Sequence, residues 1–350
     1  MQFSKAQFEK QDRSRVIPTT RRRVATERDS SSTLSGGLSL APDKAGPDGA
    51  AARFFRSGSL QHRPLALNDR EPEDSGMREP IIDAWIQHPT AQFIGHNMFA
   101  SLRRWMKLEV IPEEIPIELT LAALDAAGVG KALTSAWWGP DGPLLSNDEV
   151  ARTVSAHPDR FVGIGSVNLH RPMDAVRELR RCVSELGFVG VRQLPWLWGL
   201  PPNDRRYYPI YAECVDLGVP FCLQVGHAGP LRPSDPGRPI PYLDEVACEF
   251  PELRIVGGHI GYPWTDEMIS LATKYENVYI DTSAYTPERY PEALVRFMKG
   301  SGRRKVLFGS NFPMIQPAKC ITQLDSLGLS DEVRQLFLWE NAAKVFELDL

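Results

Sequence analysis

The sequence predicts a (β/α)8 barrel preceded by a long irregular extension, and three observations carry that expectation. Eight short β-rich runs lie between residues 80 and 311: "PIIDAWI", "KALTSAWW", "RFVGIGSV", "GFVGVRQL", "PFCLQVGH", "LRIVGGHI", "NVYIDTS" and "KVLFGSN". Amphipathic stretches separate them, among them "IELTLAALDAAGVG", "DAVRELRRCVSELG", "YYPIYAECVDLG" and "DEMISLATKYE". Strand and helix patterns that alternate in this way build a parallel sheet, and eight units within about 270 residues favour a closed barrel over an open sheet.

The elements follow from local signals. Three of the helical stretches end in glycine, which accepts the left-handed conformation that closes a helix. The last stretch, "LSDEVRQLFLWENAAKVFEL", starts at Ser330, a residue type that caps a helix N-terminus, and is expected to close the barrel. Residues 1–79 include "RRRVATERDSSSTLSGGLSLAPDKAGPDGAAA", rich in Ser, Gly, Pro and Arg without apolar periodicity, and are expected to be a disordered tail ahead of a barrel spanning 80–350.

Composition narrows the function classes. The 350-residue chain is 42% hydrophobic and 24% charged, with a net charge of -4, the values of an ordinary globular protein. Residues 1–79 hold 14 Lys and Arg against 11 Asp and Glu, so the acidic balance belongs to the barrel, which argues against a nucleic-acid partner. No apolar run is long enough to span a bilayer and no secretion signal is visible, so no membrane partner and a cytoplasmic location are expected. Five scattered cysteines form no C-x-x-C pair, and "GVG" at 128–130 lacks the rest of a dinucleotide fingerprint. A small molecule is the expected partner.

In a barrel of this kind the active site forms at the C-terminal ends of the strands. Reading those ends in order yields Trp85, Gln87, His88, Trp137, Trp138, His170, Arg192, Gln193, Gln224, His227, His259, Asp281, Ser310 and Asn311. His227 and His259 stand out, because each follows an apolar run and is flanked by glycine, which lets a ligand approach the backbone. Arg192 is expected to point into the mouth, where a substrate carboxylate or a local acid such as Asp281 would pair it. Trp137, Trp138, Trp196 and Trp198 suggest a flat apolar wall or lid.

At these residues the chain resembles the amidohydrolase superfamily, in the branch of aminocarboxymuconate semialdehyde decarboxylase, the resorcylate decarboxylases and the pyrone dicarboxylate lactonase. The resemblance covers about residues 80–348 and rests on "GFVGVRQLP", "PNDRRYYPIYAECVDLGVPFCLQVGHAGP", "FPELRIVGGHIGYPW", "NVYIDTSAY" and "KVLFGSNFPMI" in that order. It implies a divalent metal held by an H-x-H pair, a strand-five His and a strand-eight Asp, with a further His assisting. Here those ligand positions are Trp85, Gln87, His227 and Asn311, and the assisting His is His259. Tryptophan donates no ligand, and neutral amides hold a zinc ion far less well than imidazole and carboxylate.

The expectation is therefore a site with no cofactor; a zinc ion, if held, would rest on His227, Asn311 and Gln87, with His88 or Asp281 as added ligands. The sequence reading favours a hydrolase of a small carboxylated or cyclic lactone- or ester-like substrate. In it His227 and His259 act as acid and base, Asn311 stabilises developing charge, and Trp85, Gln87, His88, Trp137, Arg192, Gln224 and Asp281 bind substrate. A non-oxidative decarboxylase of an aromatic or unsaturated acid and an inactive ligand-binding barrel are the alternatives. Barrels of the branch are often dimers, so a homodimer belongs to the same expectation.

Overall fold

The computed structural model describes residues 81–348 except 106 and 109. The expected disordered tail lies outside the described residues. Eight parallel strands form the barrel: β1 (Ile81–Ile86), β2 (Val129–Ser135), β5 (Phe161–Ile164), β6 (Val191–Gln193), β7 (Phe221–Gln224), β8 (Ile255–Gly258), β9 (Val278–Asp281) and β10 (Val306–Leu307). Each coincides with one of the eight runs read from the sequence. β1, β2 and β5 pair in that order, as do β6 through β10.

Two seams close the ring. A bridge from Gly165 to Val191 joins β5 to β6. On the other side Ala84 N–H donates to Phe308 O at 2.9 Å, Asn311 N–H to Trp85 O at 2.8 Å, and Gln87 N–H to Phe312 O at 3.0 Å. β1 carries a register shift between Asp83 and Ile86, so the strand bends where it meets both neighbours.

One run divides differently from the sequence pattern. "KALTSAWW" stops being a barrel strand at Ser135, and Trp137–Gly139 (β3) turns back against Gly142–Leu145 (β4) as an antiparallel hairpin. The cause is the turn segment Gly139-Pro140-Asp141-Gly142, with Gly142 at φ 122°. Trp137 is thereby lifted beyond the barrel rim.

Helices form the outer layer, as the alternation requires. Ile117–Asp125, Pro172–Ser184 and Tyr208–Asp216 are followed by Gly128, Gly187 and Gly218, each with φ between 64° and 68°. Phe221 packs outward against Tyr211 of the last of these, with ring centroids 4.8 Å apart. Ser330 caps Asp331–Gln335 by accepting from Val333 N–H. The chain then continues through a wider turn at Leu336–Glu340 into Asn341–Phe346.

That final segment does close the barrel. Ile82, Ala84, Leu133, Ile164, Cys222, Val256 and Leu307, from six strands, form one buried cluster with Ala342, Val345 and Phe346. The plug packs against β1 and β10 and leaves open the end where the strand tips line a cavity. Among the described residues no helix is long and apolar enough to cross a membrane.

The barrel wall has no spare volume at β5. A Cβ on Gly163 would lie 2.2 Å from the ring of Phe188. Replacing Gly163 by Ala is therefore expected to lower the unfolding free energy by about 1–3 kcal/mol, the usual cost of overpacking. Urea unfolding of the two proteins measures it, and equal midpoints would show that the wall yields freely.

Candidate active site

The open end of the barrel carries a cavity of about 360 Å³. Much of its polar lining comes from strand ends: Gln87 just after β1, Gln224 at the end of β7 with His227 beyond it, His259 just after β8 and Asn311 past β10. Phe93, Phe99, Trp137 and Trp196 supply its aromatic wall. The Trp137 ring is the hub of that wall, edge-on to Phe93 at 5.0 Å, Phe99 at 5.9 Å and Trp196 at 6.2 Å.

The amides are fixed by their neighbours. Gln224 donates to His227 O at 2.8 Å and accepts from Trp196 Nε1 at 2.7 Å, so it ties the β7 loop to the aromatic wall. Gln87 donates to Phe312 O at 2.7 Å and to Asn311 Oδ1 at 3.3 Å. The backbone is bent to the same end: His259 (φ 64°), Ala284 (φ 66°) and Asn311 (φ 66°) all adopt the left-handed conformation and all line the cavity. Such backbone costs on the order of 1–3 kcal/mol per non-glycine residue and persists where surrounding contacts over-determine it.

His259 is buried, with Nδ1 2.7 Å from Ser283 Oγ. Burial, then the positive charge of Arg192 and the nearby His227, pushes its pKa down to about 3, so the ring is neutral at physiological pH. His227 is exposed at the mouth, and its main-chain N–H donates to Tyr262 O at 2.7 Å.

Eight of the fourteen residues read from the strand ends do not line the cavity, among them four expected to bind substrate. Arg192 does not reach the mouth: it is buried in the barrel interior, donates to Ala84 O at 2.9 Å and stacks 3.6 Å from the Trp85 ring centroid. Trp85 in turn lies 4.8 Å from the His259 ring, so it separates the arginine from the cavity. Asp281 points inward below the site, where its Oδ1 accepts from Ser283 N–H at 2.6 Å. His88 is turned aside, with Nδ1 2.8 Å from Thr120 Oγ1 and Nε2 3.1 Å from Ile115 O. Burial lowers its pKa. Trp138 and Trp198 also lie off the cavity, the latter packed against His170 at 5.1 Å.

The sequence reading missed several residues. Arg103 and Arg289 line the cavity and bring positive charge to it, while no Asp or Glu does. Arg103 donates through Nη1 to Ile94 O at 2.5 Å and His96 O at 2.8 Å. Arg289 is exposed and forms no side-chain hydrogen bond or ion pair among the described residues. Both sit in long connections, five residues or more past a strand end, where no periodicity marks them. No local signal sets them apart: Arg103 lies on the short helix Ala100–Trp105, and Arg289 directly follows Glu288 in sequence. Ser283, two residues beyond Asp281, was also passed over.

Comparison with known proteins identifies the scaffold. The amidohydrolase family profile matches residues 83–348. The chain belongs to the amidohydrolase family. A gamma-resorcylate decarboxylase of Rhodococcus jostii is 28% identical over 296 residues, covering 68% of this chain and 85% of that protein. A 2-amino-3-carboxymuconate-6-semialdehyde decarboxylase of Dictyostelium discoideum is 39% identical over 73 residues, 21% of this chain and 20% of that one. A dihydroxybenzoic acid decarboxylase of Polaromonas, crystallised with manganese and 2-nitroresorcinol, superposes with a TM-score of 0.60 at 21% identity, covering 77% of this chain and 98% of the other.

These relatives correct two expectations. The hydrolase assignment is overturned, because the amidohydrolases similar to this chain include a series of decarboxylases of aromatic acids. The cofactor-free expectation is overturned as well: manganese is bound in solved barrels of these decarboxylases, so a divalent metal belongs to the group.

The side chains of this chain at the corresponding positions do not fit that ion. Among the described residues no three His, Cys, Asp or Glu side chains converge as ligands. At the first position stands the Trp85 ring, pressed so close to β8 that a Cβ on Gly258 would lie 2.4 Å from it, and backed by the Arg192 guanidinium. Asn311 Oδ1 already accepts from Gln87. A cation on the far side of Trp85 and two neutral amides make a poor donor set for a second cation.

Beneath the cavity Asp83 is fully buried, with Oδ1 accepting from Ser310 N–H at 2.9 Å and Trp85 N–H at 3.2 Å. Desolvation outweighs those bonds and raises its pKa to about 7. The folded state thus holds the proton more tightly than the unfolded chain, so this group stabilises the fold below pH 3.8 and loses that contribution as pH rises through about 7. Asp83→Asn removes the titration. Wild-type stability relative to this variant is expected to fall between pH 4 and pH 7 in chemical denaturation, and a flat difference would show a carboxyl already ionised in the folded state.

Proposed function

We propose that this protein is a carboxy-lyase that releases carbon dioxide from an aromatic or unsaturated carboxylic acid without an oxidant. The observation that carries the reading is the charge of the cavity: two arginines and two histidines line it against aromatic walls, and no carboxylate does. Such a lining attracts a flat anion and repels a cation. The match to gamma-resorcylate decarboxylase over most of the domain supports the same chemistry.

The reaction needs a proton at the ring carbon that bears the carboxylate, then loss of carbon dioxide as the C–C electron pair returns to the ring. Overall an aryl carboxylate and one proton give an arene and carbon dioxide. An arginine clamped on the departing carboxylate would stabilise the ground state as much as the transition state, and so would not accelerate the step. Arg103 and Arg289 therefore serve the part of the acid that is retained, a phenolic oxygen or a second acid group. The departing carboxylate lies against the Phe93–Trp137–Trp196 wall, where poor solvation favours conversion of a charged group to a neutral gas. His227, open to solvent, brings the proton, and Gln87 and Asn311 orient the ring oxygen.

The test is carbon dioxide release from a panel of carboxyl-labelled hydroxybenzoates and unsaturated acids, set against esters and lactones. Release of carbon dioxide with one equivalent of arene is expected; turnover confined to the esters and lactones would defeat the reading. Replacing Arg289 by Gln is expected to raise KM about three- to tenfold with little change in kcat, the size suited to an exposed charge contact. An unchanged KM would remove Arg289 from substrate binding.

A further inference from the structure

Gln87, Gln224 and Asn311 bring three side-chain amides to the cavity, and their hydrogen bonds leave different groups free. An amide has one acceptor oxygen and two donor hydrogens, so its partners decide which end a ligand meets. The decisive partner is Phe312 O, a carbonyl that can only accept. It takes Gln87 N–H at 3.0 Å and Gln87 Nε2 at 2.7 Å, which fills both of its lone pairs. Gln87 Nε2 gives its other hydrogen to Asn311 Oδ1 at 3.3 Å. Turning the Gln87 amide over, with or without Asn311, would set Oε1 against Phe312 O at that same short distance, two acceptors with no hydrogen between them. Turning Asn311 alone would set two donors face to face.

The direction of both amides is therefore fixed. Gln87 has both side-chain hydrogens engaged, and its Oε1 is buried out of reach of a ligand. Gln224 Oε1 accepts from Trp196 Nε1, a group that can only donate, and Gln224 Nε2 donates to His227 O. Asn311 differs: it is half-buried, and its Nδ2 is not buried and has no hydrogen-bond partner among the described residues. Both hydrogens of that nitrogen are free where the residue lines the cavity. The main chain keeps it there, since Asn311 N–H donates to Trp85 O at 2.8 Å and Asn311 O accepts from Met314 N–H at 2.9 Å. Asparagine is also a residue type that tolerates the φ of 66° found at this position.

We propose that Asn311 determines specificity: held by Gln87 with both N–H groups toward the cavity, it selects acids whose retained ring substituent is an oxygen and rejects an amino group in its place. A phenolic oxygen turns a lone pair to Nδ2. An aromatic amine, whose lone pair is drawn into the ring, meets Nδ2 donor to donor. Arg103 and Arg289 attract either anion and do not make this distinction. Gln87 acts through Asn311 and is a positioning residue. The choice of aromatic acids as ligands rests on the carboxy-lyase reading, whereas the direction of the Asn311 amide does not.

The test is calorimetric binding of the ortho, meta and para hydroxybenzoates and the matching aminobenzoates to the full chain, in buffer containing a chelator. Each pair shares its shape and its carboxylate, so the ratio of the two dissociation constants isolates the single substituent. For the hydroxy isomer that binds most tightly, the wild type is expected to favour hydroxyl over amine by about tenfold, the size of one hydrogen bond. Asn311→Asp keeps an acceptor for Gln87 Nε2 and replaces the free donor by an acceptor that serves hydroxyl and amine alike. The ratio is expected to fall to about one, with both acids bound more weakly because of the added negative charge. Gln87→Met fills similar space and frees the Asn311 amide to turn, so an intermediate ratio is expected.

A wild-type ratio near or below one would overturn the proposal whether or not either variant folds, and so would a ratio that Asn311→Asp leaves unchanged. Absence of binding by all six acids would overturn it together with the carboxy-lyase reading. If the hydroxyl preference is found while none of the acids releases carbon dioxide, the role of Asn311 stands and the carboxy-lyase reading falls.

Discussion

The stack of Arg192 on Trp85 is the contact on which the interior of this barrel depends. A guanidinium buried in an apolar barrel needs compensation; burial lowers its pKa, and the electrons of an aromatic face answer part of its charge at 3.6 Å. The carbonyl of Ala84 answers another part. Asp83 and Asp281, both raised in pKa by burial, complete the surroundings. Around this arrangement β8 must use Gly258, because Trp85 fills the space of any side chain there, and Gly309 must stay bare because a Cβ would meet Asp281 Oδ1 at 2.6 Å. The position of the neutral His259 ring follows from the same packing, since Trp85 separates it from the positive charge below.

That arrangement also accounts for the altered ligand positions. Trp85, Gln87 and Asn311 are coherent as a set: a large ring roofs the arginine, and the two amides bond to each other and to the chain at Phe312. Removing any one would leave a buried polar atom or a void, so the three form one packed unit. The scaffold is that of relatives whose barrels hold manganese, while the centre of this barrel is occupied by an internal cation on an aromatic ring.

The fold was almost wholly legible in the sequence, because strands of a parallel barrel are short apolar runs and their helices carry their own caps. What the pattern could not show was where a strand stops when the residues beyond it remain apolar. Trp137 continues the pattern of β2 but belongs to a hairpin fixed by Gly139 to Gly142. The site was half legible. Gln87, Gln224, His227, His259 and Asn311 were found because they directly follow strands, and the structure brings them together with Trp137. Arg192 and Asp281 were placed at the rim because strand phase in a three- or four-residue segment does not fix depth. Arg103, on the short helix Ala100–Trp105, and Arg289 escaped notice because a residue in a long connection reaches a cavity through tertiary packing, which leaves no local mark.

The left-handed backbone at His259, Ala284 and Asn311 bears on how such a barrel could change over evolutionary time. Glycine at any of the three would relax the backbone, but at Asn311 it would leave Gln87 without its bond to Oδ1 and at His259 it would empty the space against Trp85. His, Ala and Asn at these positions tie the shape of the cavity to conformational energy stored in the main chain. A chain that gave up the cavity could release that energy only by giving up these packed contacts as well.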